Sequence, residues 1–272
     1  MRAQLPKNHM ASPSYALDTS IGRDAASQLL QPLLDLAKTS DSLIASSVGV
    51  VKNGSEEFRI PRFVFMGPKG GGNTIRVGLF SALHGDEPEG TEGLVKFIQE
   101  LEKEPEVAKG FHLYAYPICN PSGFAAGTRN STAGFDLFGE FWRDSKQPEA
   151  YYLEREIGVH SFQGVVSLHT GKSSVRFLAA CGSEILDEAL VQPAVRATRG
   201  LIPETVQAKE GANDTLSSGF LTTTDELHPV PFEINFSIPR LLPKSSRVQG
   251  TAAALKSILS SYRALMALGQ NL

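Results

Sequence analysis

Strands that alternate with helices, a few strands in direct succession, and strand ends that run abruptly into polar clusters predict an α/β fold. The expectation is one three-layer domain over residues 1–272, a mixed and mostly parallel sheet with helices on both faces. The polar clusters matter because ligands of open α/β sheets lie outside the carboxyl edge of the strands.

Residues before about Ser20 carry no apolar periodicity and read as a loosely ordered extension. Asp24 to Lys38 repeats Leu29, Leu30, Leu33, Leu34 and Leu36 at helical spacing, with Asp24 as its cap. Leu43 to Val51 and Phe58 to Met66 read as strands, joined through Lys52-Asn53-Gly54, a hairpin turn signal. Gly67 to Asn73 is glycine-rich but lacks the Gly-Lys-Ser/Thr ending of a phosphate loop and precedes a strand, so it reads as a second hairpin turn. Thr74 to Ala82 is a buried strand that ends in His84-Gly85-Asp86-Glu87-Pro88. Proline suits the first turn of a helix, and Leu94, Phe97, Ile98 and Leu101 carry that helix from Glu89 to Glu104.

Phe111 to Ile118 is a further strand, ending in Asn120-Pro121-Ser122-Gly123. Phe124 to Gln147 is a long stretch of little periodicity, and its aromatics Phe135, Phe138, Phe141 and Trp142 argue for order. Pro148 to His160 reads as a helix, and Gly164 to Leu168 as a short strand ending in His169-Thr170-Gly171. Val175 to Ala180 is strand-like, Glu184 to Arg199 helical, Gly211 to Asp225 a polar loop. Val230 to Phe236 is a strand carrying one carboxylate, Glu233, and Gln249 to Leu268 closes the chain as a helix.

Composition narrows the function. The 272 residues are 41% hydrophobic and 20% charged, with a net charge of -3 and a sequence pI near 6.1. That balance is globular and lacks the basic footprint of a nucleic-acid binder. Two cysteines, Cys119 and Cys181, make neither a disulfide framework nor a cysteine metal cluster. No segment has the length and apolarity of a membrane span, and the first residues lack the apolar core of a signal peptide. A soluble cytoplasmic protein is expected, its oligomeric state open.

His84 and Glu87, three residues apart on a tight turn, have the chemistry to face one cation; the alternative is a surface turn whose carboxylate meets the helix dipole. His169, at another strand's end, is either a further ligand or a satisfied strand-end histidine, with His112, His160 and His228 as competitors for the ligand role. A carboxylate on an apolar strand is costly to bury without a partner, which draws attention to Glu233 over Asp225 and Glu226 in the polar loop.

Five motifs now stand in order: His84-Gly85-Asp86-Glu87; Asn120-Pro121-x-Gly123 with Arg129; Gly134-Phe135-Asp136-Leu137; Ser167-Leu168-His169; and Pro231-Phe232-Glu233. With them the chain resembles the zinc carboxypeptidase superfamily, in particular its branch near succinylglutamate desuccinylase and aspartoacylase. The resemblance implies one zinc ion held by His84, Glu87 and His169 and an amide bond, in a peptide or small molecule, as the target. It implies Glu233 as general base, Arg129 as the oxyanion stabiliser, and Asp136 as the carboxylate that holds the first histidine by its other ring nitrogen. Asn130 would line the same pocket. Where carboxylate-gripping members read Asp-x-Asn-Arg, this chain reads Asp136-Leu137-Phe138-Gly139, so their clamp is absent; Arg143 and Arg176 are the arginines left to approach from elsewhere. No tyrosine lies between His169 and Glu233 to cover a substrate, and Phe220 is the aromatic that would fill that space. The resemblance therefore implies an atypical metallopeptidase or a deacylase of N-acyl amino acids, with a non-catalytic, metal-containing binding module as the reading of a different class.

Overall fold

The computed structural model describes residues 25–172, 175–203, 219, 221, 227 and 230–269. The N-terminal extension, the Asp24 cap, Phe220, Asp225, Glu226, His228 and most of the 211–225 loop fall outside the described residues.

One seven-stranded sheet organises the described chain, in the order β1-β2-β4-β3-β5-β7-β6. The strands are β1 (Leu43–Asn53), β2 (Glu56–Met66), β3 (Ile75–Ser81), β4 (Phe111–Tyr116), β5 (Gly164–Gly171), β6 (Leu178–Cys181) and β7 (Phe232–Pro239). The four central strands, β4-β3-β5-β7, pair in parallel. The outer pairings, β1 with β2, β2 with β4 and β6 with β7, are antiparallel. The sheet is thus mixed as expected, with its parallel character confined to the centre.

The helices are α1 (Ala25–Ala37), α2 (Pro88–Lys103), α3 (Pro121–Ala126), α4 (Pro148–His160), α5 (Glu184–Leu186), α6 (Gln192–Thr198) and α7 (Lys244–Gly269). Side chains alternate along each strand, so neighbours in sequence serve opposite faces. On one face Val77, Leu79, Val166, Leu168, Ile234 and Phe236 pack with α1, α2, α6 and α7. On the other, Phe80, Tyr116 and Val165 meet Ala150, Leu153 and Ile157 of α4, together with Leu137 and Phe141 of the preceding loop. Both faces are therefore covered. No described helix is long and apolar enough to cross a membrane. Cys119 is buried and Cys181 half-buried, and both are free thiols.

The Lys52-Asn53-Gly54 turn joins β1 to β2 as a hairpin, with Gly54 at φ +60. The second expected hairpin, at Gly67 to Asn73, is corrected: β4 lies between β2 and β3, so the connection passes across the start of β4. Its backbone bonds to that strand's approach, Gly67 N–H to Phe111 O at 2.9 Å and Gly110 N–H to Pro68 O at 2.7 Å. The glycine at 67 reflects this crossing, since a Cβ there would stand 1.8 Å from the Ala108 carbonyl oxygen.

Candidate metal centre

The centre is built where β3 stops. Cys119 and Asn120 donate their N–H groups to the Ser81 and Ala82 carbonyls, prolonging the β3–β4 contact. Ala82 then turns left-handed, at φ +49, a conformation unfavourable for a residue with a Cβ. Gly85 passes so close to α3 that a Cβ would stand 2.1 Å from the Gly123 carbonyl carbon. Its N–H donates to the Arg129 carbonyl at 3.2 Å. Glu87 stands at the N-cap position of α2 without a side-chain capping bond, with Pro88 as the first helical residue. The turn thus aims His84 and Glu87 at the end of β5, which runs through His169 to Gly171 because Thr170 and Gly171 still pair with β7.

His84, Glu87 and His169 converge. All three are buried, and one ligand atom from each lies within 4.8 Å of the others. His84 Nδ1 is 3.1 Å from Glu87 Oε1, and His169 Nδ1 is 3.7 Å from Glu87 Oε2. Ligands around a tetrahedral zinc stand about 3.3–3.6 Å from one another, given bonds of roughly 2.0–2.2 Å. The two histidine–carboxylate spacings bracket that value, and the three ligand atoms lie within 4.8 Å of one another, so the donor set and its spacing suit such an ion. Both Nε2 atoms are buried and lack a hydrogen-bond partner, a cost that a charge-bearing role for the rings would justify. Burial pushes the Glu87 carboxyl up, but the imidazoles of His169 and His84 outweigh it and hold the group well below the usual carboxylate range. Glu87 is thus ready as an anion, the form a metal requires. This is the one such cluster among the described residues. His112 and His160 lie elsewhere, on β4 and at the end of α4.

The remaining expected residues divide. Asp136 Oδ1 lies 3.2 Å from His84 Nε2, without hydrogen-bond alignment. Its Oδ2 accepts from Arg129 Nε at 3.1 Å. Arg129 NH1 reaches to 4.0 Å of Glu87 Oε1, and the side chain is about half exposed, at 46%. Asn130 is occupied with its own loop, donating from Nδ2 to the Gly134 carbonyl at 2.9 Å. Arg143 is exposed on the turn after Trp142. Arg176 lines a separate cavity of about 440 Å³ with Phe177, Leu178, Val195, Thr198, Arg199 and Ile202.

Glu233 is not brought to the three ligands, and the expectation that it faces them is corrected. On β7 it pairs with Val165, whereas Ser237 pairs with His169. Four residues at about 3.3 Å each carry it roughly 13 Å down the sheet. Its two carboxylate oxygens each accept the Leu221 N–H at 3.2 Å. Among the described residues, the half-buried Glu233 thus has a backbone N–H as a partner.

Other residues of the centre were given no part in holding the ligands by the sequence. Phe138 sets its ring 5.4 Å from that of His169, near perpendicular at 78°, and 6.1 Å from that of His84. Thr170 donates its N–H to Glu87 Oε2 at 3.1 Å and its hydroxyl to Glu89 Oε2 at 2.8 Å. A signal for Glu89 was present, since a carboxylate two residues past a candidate ligand falls within the first turn of α2; nothing in the sequence pointed it inward.

The family model described as the succinylglutamate desuccinylase/aspartoacylase catalytic domain matches residues 73–228. A comparison with curated proteins finds no match. Among solved structures, a metallo-carboxypeptidase from Burkholderia cenocepacia is similar at 14% identity and a TM-score of 0.67, covering 86% of this chain and 68% of that one. A metallo-carboxypeptidase from Pseudomonas aeruginosa, in complex with (2-guanidinoethylmercapto)succinic acid, is similar at 14% identity and 0.63, covering 88% and 68%. The carboxypeptidase A from Helicoverpa armigera is similar at 14% and 0.62, covering 89% and 72%.

Proposed function

Because the chain belongs to the succinylglutamate desuccinylase/aspartoacylase catalytic-domain family, we propose that it is a zinc-dependent hydrolase of an amide bond, acting on a peptide or an N-acyl amino acid. The observation that carries the reading is the buried convergence of His84, Glu87 and His169, with Arg129 beside it. His84, Glu87 and His169 would hold the ion. When bound, zinc polarises a carbonyl and makes water acidic enough to attack near neutral pH.

The chain's own side chains supply the rest. Arg129 is permanently charged and presents several donors beside the ligand carboxylate, where an oxyanion would need them. Asp136 does two things at once: one oxygen sits against the outer nitrogen of His84, the other holds the Arg129 guanidinium. A hydrogen bond from that nitrogen to Asp136, unaligned at this 3.2 Å approach, would orient the ligand imidazole and strengthen metal binding. Phe138 walls the histidines with an apolar ring, and Gly139 leaves open space at the next position. Neither offers a charge, so the reading favours a bulkier or less charged group on that side of the scissile amide over a carboxylate.

A second reading, a metal-containing binding module without turnover, has one observation in its favour. The β7 residue level with His169 is Ser237, and no strand carboxylate stands there to accept a proton.

Purified protein separates the two. We expect about one zinc per chain, as in three-ligand catalytic sites, lost in His84→Ala, and hydrolysis of at least one member of a panel of acyl-amino acids and short peptides. No bound metal under any loading ends the proposal; zinc without hydrolysis selects the binding module. A true general base contributes about 10²–10⁴-fold, so Glu233→Gln is expected to leave turnover within about threefold. A hundredfold loss would return Glu233 to the reaction.

A further inference from the structure

Behind the three ligands lies a carboxylate that the hydrolytic reading does not use. Glu89 sits in the first turn of α2, yet it is only 5% exposed. Its Oε1 accepts from Arg240 Nε at 2.9 Å, and its Oε2 accepts from Arg240 NH2 at 3.3 Å and from the Thr170 hydroxyl at 2.8 Å. Arg240 is the residue following β7, and it also donates from NH2 to the Asp86 carbonyl at 2.5 Å. Arg247 of α7 braces this arrangement, donating from NH1 to the Arg240 carbonyl at 2.9 Å and lying 3.8 Å from Glu89 Oε1.

The geometry leads in one direction. Thr170 gives its hydroxyl to Glu89 and its N–H to Glu87. The same Arg240 that grips Glu89 also fixes the carbonyl of Asp86, the residue just before Glu87. A buried carboxylate held by two arginines carries a heavy desolvation cost, repaid only with good geometry. Apolar packing would secure α2 equally well; what a charged pair adds is a fixed direction for its hydrogen bonds.

We propose that Glu89, gripped by Arg240, is a positioning residue for the ligand Glu87: it sets the end of β5 so that the Thr170 N–H points one Glu87 oxygen and leaves the other to the His84 side. The inference rests on the zinc reading above. Glu89 touches no ligand atom itself and acts through Thr170 and the Asp86 carbonyl.

The test is zinc affinity of the full chain, measured by competition with a chromophoric chelator, alongside urea unfolding of the metal-free protein. Glu89→Gln is expected to weaken zinc by about 10–100-fold, the usual effect of losing an orienting partner. Thr170→Val keeps the N–H and the side-chain volume, and is expected to weaken zinc in the same direction. The double variant should weaken it by less than the product of the two, because both act on one path. Cobalt-loaded Glu89→Gln should also show a shifted visible spectrum, which a loss of helix stability alone would not produce. Zinc affinity within twofold of the unmodified chain, or strictly multiplicative effects, overturns the inference. If Glu89→Gln does not fold, unchanged affinity in Thr170→Val overturns it by itself. Failure of the unmodified chain to bind zinc overturns the metal reading together with this one, whereas binding that the variants leave untouched overturns this one alone.

Discussion

Glu156 shows how much a single half-buried carboxylate can hold. It lies on α4 and receives Arg62 NH1 at 2.7 Å and the Tyr116 hydroxyl at 2.8 Å, with His160 Nε2 at 3.4 Å. Burial pushes its carboxyl up, but His160, Arg62 and Tyr116 outweigh that and bring it down to about 2. A carboxyl lowered in the folded chain stabilises fully above its unfolded value, and the stabilisation disappears as pH falls through the folded one. The window is therefore roughly pH 5 to 2, and the depression corresponds to about 3 kcal/mol at neutral pH. Glu156→Gln is expected to lower the urea unfolding free energy by a comparable amount at pH 7. The difference from the unmodified chain should shrink steadily toward pH 2, and a gap independent of pH would contradict the assignment. At this scale the sequence was partly legible. His84, Glu87 and His169 could be named because both histidines end apolar strands and the motifs around all three carry the family resemblance. The partner of Glu233 could not be, because an apolar strand shows that a carboxylate needs a partner without showing which.

Elements were most legible where a terminus carries its own chemistry. α4 begins with proline at its first position and ends at Ser161 in the left-handed region, so its bounds follow from sequence. α3 was read as loop, because six residues give no period to detect. Yet its cap was on view: Asn120 Oδ1 accepts the Gly123 N–H at 2.9 Å, with Pro121 next. The same amide donates to the Leu83 and Arg129 carbonyls at 3.4 and 3.3 Å, so this short helix start also fastens the His84 turn to the Arg129 loop. Asn120→Ala is expected to lose about 2 kcal/mol, a cap together with buried carbonyls left unsatisfied. Urea denaturation of the metal-free chain checks it, and a change under half a kcal/mol would show the cap to be incidental. The Gly67–Asn73 connection failed for another reason. A glycine-rich link between two strands looks alike whether they become neighbours or a later strand inserts between them, and β4 inserts here.

For the whole molecule, the sequence disclosed the α/β class and the two covered faces through the alternation of its elements; it did not disclose strand order, which depends on contacts between distant segments. The three candidate ligands come from the end of β3, the start of α2 and the end of β5, so a bound ion would tie together elements that meet only in the folded chain. A ligand that binds only that state stabilises it by about 2.7 kcal/mol at a hundredfold excess over Kd. For a domain of this size that corresponds to a rise in Tm of roughly 5–10 °C. Chelation should lower Tm by that much and added zinc restore it, as scanning calorimetry would register; a Tm indifferent to both would mean that the three groups hold no ion.

The pairing of β3 with β5 has a consequence for how the chain acquires its metal. His84 and Glu87 come together locally, but His169 reaches them only when Ser81 lies opposite Leu168, with β4, α3 and α4 lying between the two strands in sequence. Contacts so remote in sequence close slowly. Before that register forms, this centre has His84 and Glu87 but not His169, so the three-ligand set is complete only once the two halves of the sheet have paired.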